Sequence, residues 1–386
     1  MAHVILGADA IHAPLTGIGR YAFELATRLP HCDGVDSLRF YSLGQWIGEQ
    51  AVLDRAKTVS TQELNKPTLR RILAGNKLAV RAYSILMPIW SQWRMRQLGD
   101  SIFHSPNYFL PPFPGKSVAT IHDLSHIVCP QFHPAARVEL LKRDLPKSVA
   151  RADFLITDAE SVRREVIEHF AWPEDRICTV PLGVDASFHP RTPQETSPLL
   201  RRLGLEHAGY SLYVGTIEPR KNLARLIRAY EKLPEPLRTR VPLVLGGSRG
   251  WQADEIHDLM ERGARAGWLR YLDFVAQEDL PFLYAGARLF CFPSLYEGFG
   301  LPPLEAMASG TPVLTSSTSS LPEVVGDVAL TVHPEDEQAI TDALQRGLED
   351  DAWNSSASIR GVKRSRAFTW EQCARRTSAI YSQLKG

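Results

Sequence analysis

The chain has 386 residues, 44% of them hydrophobic and 23% charged, with a formal net charge of +1. That length exceeds what one ordinary core organises and suits two soluble globular domains, while the near-neutral balance excludes general binding to nucleic acid. Five cysteines scattered without a C-x-x-C pair argue for reduced thiols and against a zinc site, and no apolar run reaches the roughly 18 residues of a membrane span.

The N-terminal MAHVILGADA lacks the basic region of a signal peptide and reads as a first strand, His3 to Gly7, consistent with a cytoplasmic protein. Next comes HAPLTGIGR, in which Gly17 and Gly19 suit a turn that approaches a ligand closely, then a helical pattern with Tyr21, Leu25 and Leu29 on one side. Strand, glycine loop and helix open a nucleotide-type α/β domain. A dinucleotide-binding fingerprint wants a third glycine, however, and Ala22 stands in its place.

Residues 66 to 96 carry Lys66, Arg70, Arg71, Lys77, Arg81, Arg94 and Arg96 and no acid, interleaved with Tyr83, Trp90 and Trp93. A basic, aromatic helix of this kind lies on an anionic membrane surface, or else it is a core helix with a solvated cationic side. Strands then run from Ser101 to His104 and from Ser117 to Ile121, leading into Asn107-Tyr108 and His122-Asp123. Both polar clusters stand beyond carboxyl ends of strands, where open parallel sheets collect ligands. His126 and His133 follow in TIHDLSHIVCPQFHP without any metal-ligand spacing, so no metal site is expected. Phe154 to Thr157 reads as a strand, Ala159 to Phe170 as a helix, Ile177 to Val180 as a strand, and the stretch from Pro190 to Pro198 as linker.

The second half repeats this grammar. A strand from Ser211 to Val214 leads into GTIEPRKN, which sets Arg220 and Lys221 at a strand's carboxyl edge, where cations meet an anion. A helix from Leu223 to Leu233 follows, then strands from Val241 to Leu245, Tyr271 to Val275 and Leu289 to Phe292. After the last of these, YEGFGLPPLEAMASGTPVL places Glu297, Gly298 and Gly300 in a loop and Pro302-Pro303 in the first turn of a helix ending at Gly310. The amides of Phe299, Gly300 and Leu301 would form an anion cradle backed by the helix dipole. Glu297 and Glu305 flank it, suited to accept hydrogen bonds from sugar hydroxyls. Further on, Ser320 reads as a helix cap and Glu323 as structural.

The Glu-x7-Glu string from Glu297 to Glu305, with TIHDLSHIVCPQFHP and GTIEPRKN, closely resembles the retaining glycosyltransferases of family 4. The resemblance covers nearly the whole chain. It implies the GT-B fold: two Rossmann-like, doubly wound parallel-sheet α/β domains facing a central cleft. An acceptor-binding domain would span residues 1–190, a nucleotide-sugar-binding domain 191–367, and a final helix in 368–386 would cross back to the first domain. It further implies that Arg220 and Lys221 meet the donor diphosphate, Thr216 occupying the place of the family's usual arginine and Arg220 taking over that role. His122 would touch the donor sugar, Glu297 its hydroxyls, Glu305 the ribose, and Phe274 and Val275 would lie near the base. Gly17 and Gly19 would lie near the diphosphate, with Arg20, Asn107, Tyr108 and Asp123 toward the acceptor. Arg20 reads equally as a surface helix cation.

The chain has no Asp-x-Asp, so the expected chemistry is metal-independent, without a cofactor beyond the donor as co-substrate. Likeness to bacterial mannosyl- and rhamnosyltransferases suggests GDP-mannose or a related GDP-sugar. The acceptor would be a glycan or polyprenyl-diphosphate-linked glycan of surface polysaccharide, with the enzyme peripheral on the inner face of the membrane. The alternatives are a GT-B nucleotide-sugar epimerase and a non-catalytic nucleotide-sugar-binding subunit.

Overall fold

A computed structural model describes residues 2–15, 17–57 and 90–385. Two sheets carry the architecture. The first has seven strands in the order β3-β2-β1-β4-β5-β6-β7, and the second has six in the order β10-β9-β8-β11-β12-β13. β1 is Ala2–Gly7, β2 Val35–Ser42, β3 Gln45–Ile47, β4 Ser101–Ser105, β5 Lys116–Ile121, β6 Phe154–Thr157 and β7 Ile177–Thr179. β8 is Ser211–Val214, β9 Leu243–Gly246, β10 Leu269–Asp273, β11 Leu289–Phe292, β12 Val313–Ser316 and β13 Leu330–Val332. Every pairing is parallel apart from the β2–β3 hairpin.

The two sheets share one winding. Strand order reverses beside β1 in the first and beside β8 in the second, the Rossmann pattern, so each sheet opens a crevice at the carboxyl ends of its central strands. The strands there are apolar on both faces, as parallel strands covered by helices must be: β5 and β6 are almost entirely buried, and β11 and β12 wholly so. This is the expected GT-B arrangement.

Several local expectations shift. Gly17 and Gly19 do not make a turn; both lie in the first turn of helix Gly17–Arg28, where Gly19 is buried. The stretch read as linker contains helix Pro193–Arg202, started by a reciprocal capping box between Thr192 and Glu195 that outweighs Pro198 within it. Ser320 does not cap its helix; its hydroxyl donates to the carbonyls of Glu297 (2.8 Å) and Phe299 (2.7 Å). β9 and β10 end at Gly246 and Asp273, a residue or two off their expected bounds.

Helix Trp370–Lys385 packs on helix Gly17–Arg28 and on β1 and β2. Its Tyr381 hydroxyl bonds His104 Nδ1 on β4 (2.6 Å), and its Glu371 takes Arg28 Nε (2.9 Å). His104 Nε2 reaches Thr120 Oγ1 (2.9 Å), which in turn meets the Tyr21 hydroxyl (2.9 Å). Burial of this network drives His104 down to about 3, so the ring is neutral. Among the described residues no helix is long and apolar enough to cross a membrane, and the five cysteines are free thiols.

Candidate active site

The two crevices face each other, and the loops at the carboxyl ends of β8 and β11 supply one wall. After β8 the chain makes a short 3-10 turn, Pro219–Lys221, and then Asn222 takes a left-handed conformation (φ 61°). The Asn222 side-chain amide donates to the carbonyls of Pro293 (2.9 Å) and Pro334 (2.6 Å), pinning this loop to the one after β11. That pin aims both cations. Lys221 Nζ lies 2.7 Å from Glu297 Oε1, and Arg220 Nη1 lies 3.1 Å from Glu297 Oε2. Arg220 Nη2 also pairs with Glu218 at 2.8 Å.

These charges are desolvated, so their mutual field is strong. Burial alone would push the Glu297 carboxyl up, yet Lys221 and Arg220 outweigh it and hold the group below the usual carboxylate range. Burial and the neighbouring guanidinium together pull Lys221 below an ordinary lysine, despite Glu297 beside it. Arg220 moves the other way: burial opposes its charge, but Glu297, Glu218 and Asp123 over-compensate. Both cations converge on Glu297, and Arg220 also meets Glu218, so these charges are paired, and an anion entering the crevice would take the cations over from the two carboxylates.

Beyond Glu297 the chain turns through Gly300 (φ 120°) into helix Leu301–Ala308. Pro302 and Pro303 stand in the first turn of this helix and supply no donors there, so the amides that could meet an anion are those of Leu301 and the residues before it. Glu305 sits on this helix beside the Tyr284 hydroxyl, and burial pushes its carboxyl up to about 7. Phe274, exposed, and Val275, half-buried, follow β10, with Val275 against Gly246 at the end of β9.

The first domain supplies the opposite wall. His122 follows β5 and is buried; its Nδ1 bonds Asp158 Oδ2 (2.7 Å) and its Nε2 the carbonyl of Pro106 (2.8 Å). A carbonyl only accepts, so Nε2 bears the proton. Burial would lower this histidine, but Asp158 outweighs it and raises it. With both nitrogens engaged, the side chain reaches a ligand only by releasing Pro106. Tyr108 (φ 31°) is buried with its ring 6.0 Å from that of His122. Asp123 is held below its ordinary range: burial opposes this, but Arg220 across the cleft and Ser125 beside it prevail. Asn107 precedes Tyr108, and its carbonyl accepts from Ser105 Oγ (3.2 Å).

Gly17 and Leu301 meet across the same cleft, since a Cβ on Gly17 would lie 3.8 Å from Leu301 Cδ1. Arg20 lies 3.6 Å from Asp185 Oδ2, and its charge also bears on Glu305, so it faces the cleft as well as Glu24 on its own helix. The structure thus gathers Arg220, Lys221, Glu297, His122 and Asp123 at one place, with Glu305, Gly17 and Arg20 to one side.

Four further contributors receive no site role from the sequence, two of them within GTIEPRKN itself. Glu218 and Asn222 set the cations, Asp158 sets His122, and Glu323 accepts from the amides of Glu160 and Ser161 across the domain boundary, each at 2.7 Å. Glu323 is structural in the sense expected, though its work is between domains. His126 and His133, set aside as non-ligands, are buried with no hydrogen-bond partner for either ring among the described residues, and burial takes His126 down to about 4. They flank a second interdomain contact, Trp251 Nε1 to the carbonyl of Phe132 (2.5 Å). Among the described residues no three His, Cys, Asp or Glu side chains cluster to hold a metal. Of residues 66 to 96, those from 66 to 89 lie outside the described residues. Trp90 and Trp93 are about half exposed, with Arg94 and Arg96 over their rings at 5.5 and 5.6 Å.

Residues 202–364 match the family profile described as Glycosyl transferases group 1. The O-antigen chain mannosyltransferase B of Escherichia coli is 41% identical over 381 residues, which span 99% of this chain and 100% of that protein. The serotype-specific mannosyltransferase WbdA of Escherichia coli is 35% identical over 228 residues, 58% of this chain and 28% of WbdA. Among solved structures, WaaG, a glycosyltransferase involved in lipopolysaccharide biosynthesis, superposes with a TM-score of 0.71 at 16% identity, covering 98% of this chain and 99% of that one. Sucrose-phosphate synthase from Thermosynechococcus elongatus gives a TM-score of 0.70 at 22% identity, covering 100% and 99%. At these identities the two structures speak for the fold alone.

Proposed function

This chain belongs to the group 1 glycosyl transferases, and from that premise we propose that it moves mannose from GDP-mannose, or a closely related GDP-sugar, onto a growing surface glycan. The observation that carries the reading is the convergence of Arg220 and Lys221 on Glu297, at 3.1 and 2.7 Å, opposite His122. The mannosyltransferase named above, matched from end to end, supports the choice of sugar and of an O-antigen-type acceptor. A polyprenyl-diphosphate-linked glycan fits the same reading.

Breaking the bond between sugar and diphosphate sends an electron pair to the leaving phosphate oxygen, so charge grows where the two cations converge. Arg220, Lys221 and the Leu301 end of the helix would stabilise it without a divalent ion. Bound diphosphate takes up the cations, and Glu297 is then free to accept from sugar hydroxyls. Glu305 would accept from the ribose, with Phe274 and Val275 beside the base. Retention follows if the acceptor attacks from the face the diphosphate leaves, the departing oxygen taking the acceptor's proton. No protein base is then needed, and His122 orients the sugar from the first domain. Cleft closure excludes water.

The enzyme would work at the inner face of the cytoplasmic membrane. Trp90 and Trp93 with Arg94 and Arg96 have the amphipathic chemistry of an anionic lipid surface. The decisive experiment incubates the purified protein with GDP-mannose and a lipid-linked glycan acceptor in EDTA, and reads GDP release and the anomeric proton of the product. An α-linked mannoside made from the α-donor supports the reading. No product with any GDP-sugar, an epimer formed from donor alone, or activity abolished by EDTA overturns it.

A further inference from the structure

Tyr296 immediately precedes Glu297, and its side chain leaves the second domain altogether. Its ring is buried (5% exposed). The hydroxyl accepts from the main-chain N–H of Leu124 at 3.2 Å and donates to Glu165 Oε2 at 2.6 Å. Leu124 follows His122 and Asp123 beyond β5. Glu165 lies in helix Glu160–Phe170, the helix whose first two amides Glu323 holds. The Tyr296 carbonyl meanwhile accepts from Arg220 Nη1 at 2.6 Å, and Arg220 returns the contact by accepting from the N–H of Leu295 at 2.9 Å. That same Nη1 is the one paired with Glu297.

One residue therefore holds the first domain by its hydroxyl and the phosphate-directed guanidinium by its main chain. With the domains apart, the hydroxyl loses both partners and the Tyr296–Glu297 peptide is tethered at one end. With them together, it is tethered at both. A hydrogen bond to a carboxylate in a desolvated setting is among the stronger ones, so the tether is stiff.

We propose that Tyr296 is a positioning residue that makes sugar transfer conditional on domain closure, setting Arg220 and Glu297 only when Leu124 and Glu165 are engaged. This rests on the reading of the cleft as a sugar-transfer site, and it adds the part that senses the other domain. Nucleotide binding needs the second domain, so it should be indifferent to the tether. Turnover should not be.

The test uses the full chain with Tyr296→Phe, which keeps the ring and deletes the hydroxyl, and with Glu165→Ala and Glu165→Gln. Tyr296→Phe and Glu165→Ala should each lower kcat about tenfold or more while the Kd for GDP stays within about twofold. Glu165→Gln retains an acceptor and should recover most of the loss. The double variant Tyr296→Phe/Glu165→Ala should be no slower than the worse single, because the two groups act as one contact. A kcat within about twofold of the unaltered protein for either single variant overturns the proposal, as do multiplicative losses in the double. Should Tyr296→Phe fail to fold by circular dichroism, Glu165→Ala on its half-exposed helix face decides alone. If the unaltered protein transfers no sugar, the function reading falls by itself. X-ray scattering of the nucleotide-free proteins then decides the tether: a larger radius of gyration in Tyr296→Phe than in the unaltered protein upholds it, and an equal one removes it.

Discussion

Gly298 and the main-chain carbonyl of His122 meet across the cleft with no space for a methyl group between them. A Cβ at position 298 would overlap that oxygen and lie 3.0 Å from Asp123 Cβ. The glycine is thus required by what stands on the other domain. Gly298→Ala should leave each domain folded and GDP binding within about twofold of normal, yet depress turnover by about 10²-fold, the effect of a misplacement near 1 Å. Isothermal titration with GDP, set beside steady-state rates, checks both halves.

Lys221→Ala removes one of the two cations on Glu297. Losing one preorganised charge donor typically costs about 2.7 to 4 kcal/mol, so turnover at saturating donor should fall about 10²-fold or more with the melting temperature little changed. Near-normal turnover would mean that the diphosphate sits elsewhere.

Glu305, raised by burial to about 7, gives the site a pH signature. Under the proposed reading ribose hydroxyls would donate to the ionised carboxylate, so nucleotide binding should tighten as pH rises through about 7. Glu305→Gln, compared over the same pH range, should flatten that rise once the titration common to both proteins is subtracted. For stability the sign reverses: the folded state holds the extra proton between 4.5 and about 7, so this group lowers stability as pH climbs through that window.

His104 sets an opposite trend. It is neutral in the fold, with its ordinary value near 6.5 lowered to about 3 by burial between Tyr381 and Thr120. The unfolded chain binds the proton first, so stability should drop as pH falls from 6.5 toward 3, by about 1.4 kcal/mol per pH unit inside that window. Urea midpoints at pH 7 and pH 5 measure this. His104→Gln, which keeps hydrogen-bonding capacity without titrating, should reduce the slope.

Much of this site was readable in the chain because its parts lie next to each other in sequence. Arg220 and Lys221, and Glu297 with Gly298 and Gly300, each sit within one loop after one strand, and strand-loop-helix periodicity places those loops at the cleft. What escaped was whatever depends on two loops meeting. Nothing in GTIEPRKN says that Asn222 ties to Pro293 and Pro334. Nothing near Tyr296 names Glu165, which is 131 positions away. Asp158 behind His122 and the Glu323 clamp are hidden for the same reason. The glycines of GIGR misled in a different way, since their freedom fits a turn or a first helical turn equally, and the helix Gly17–Arg28 with Gly19 buried in it is the outcome.

The closing helix, Trp370–Lys385, belongs by contact to a body that the chain left almost two hundred residues earlier. Any hybrid enzyme spliced once, at the crossing after β7, would give the acceptor half a foreign brace, with Tyr381 facing His104 and Glu371 facing Arg28 mismatched. Swapping specificities between relatives therefore calls for two junctions, the second just ahead of Trp370, so that this helix travels with the half it supports.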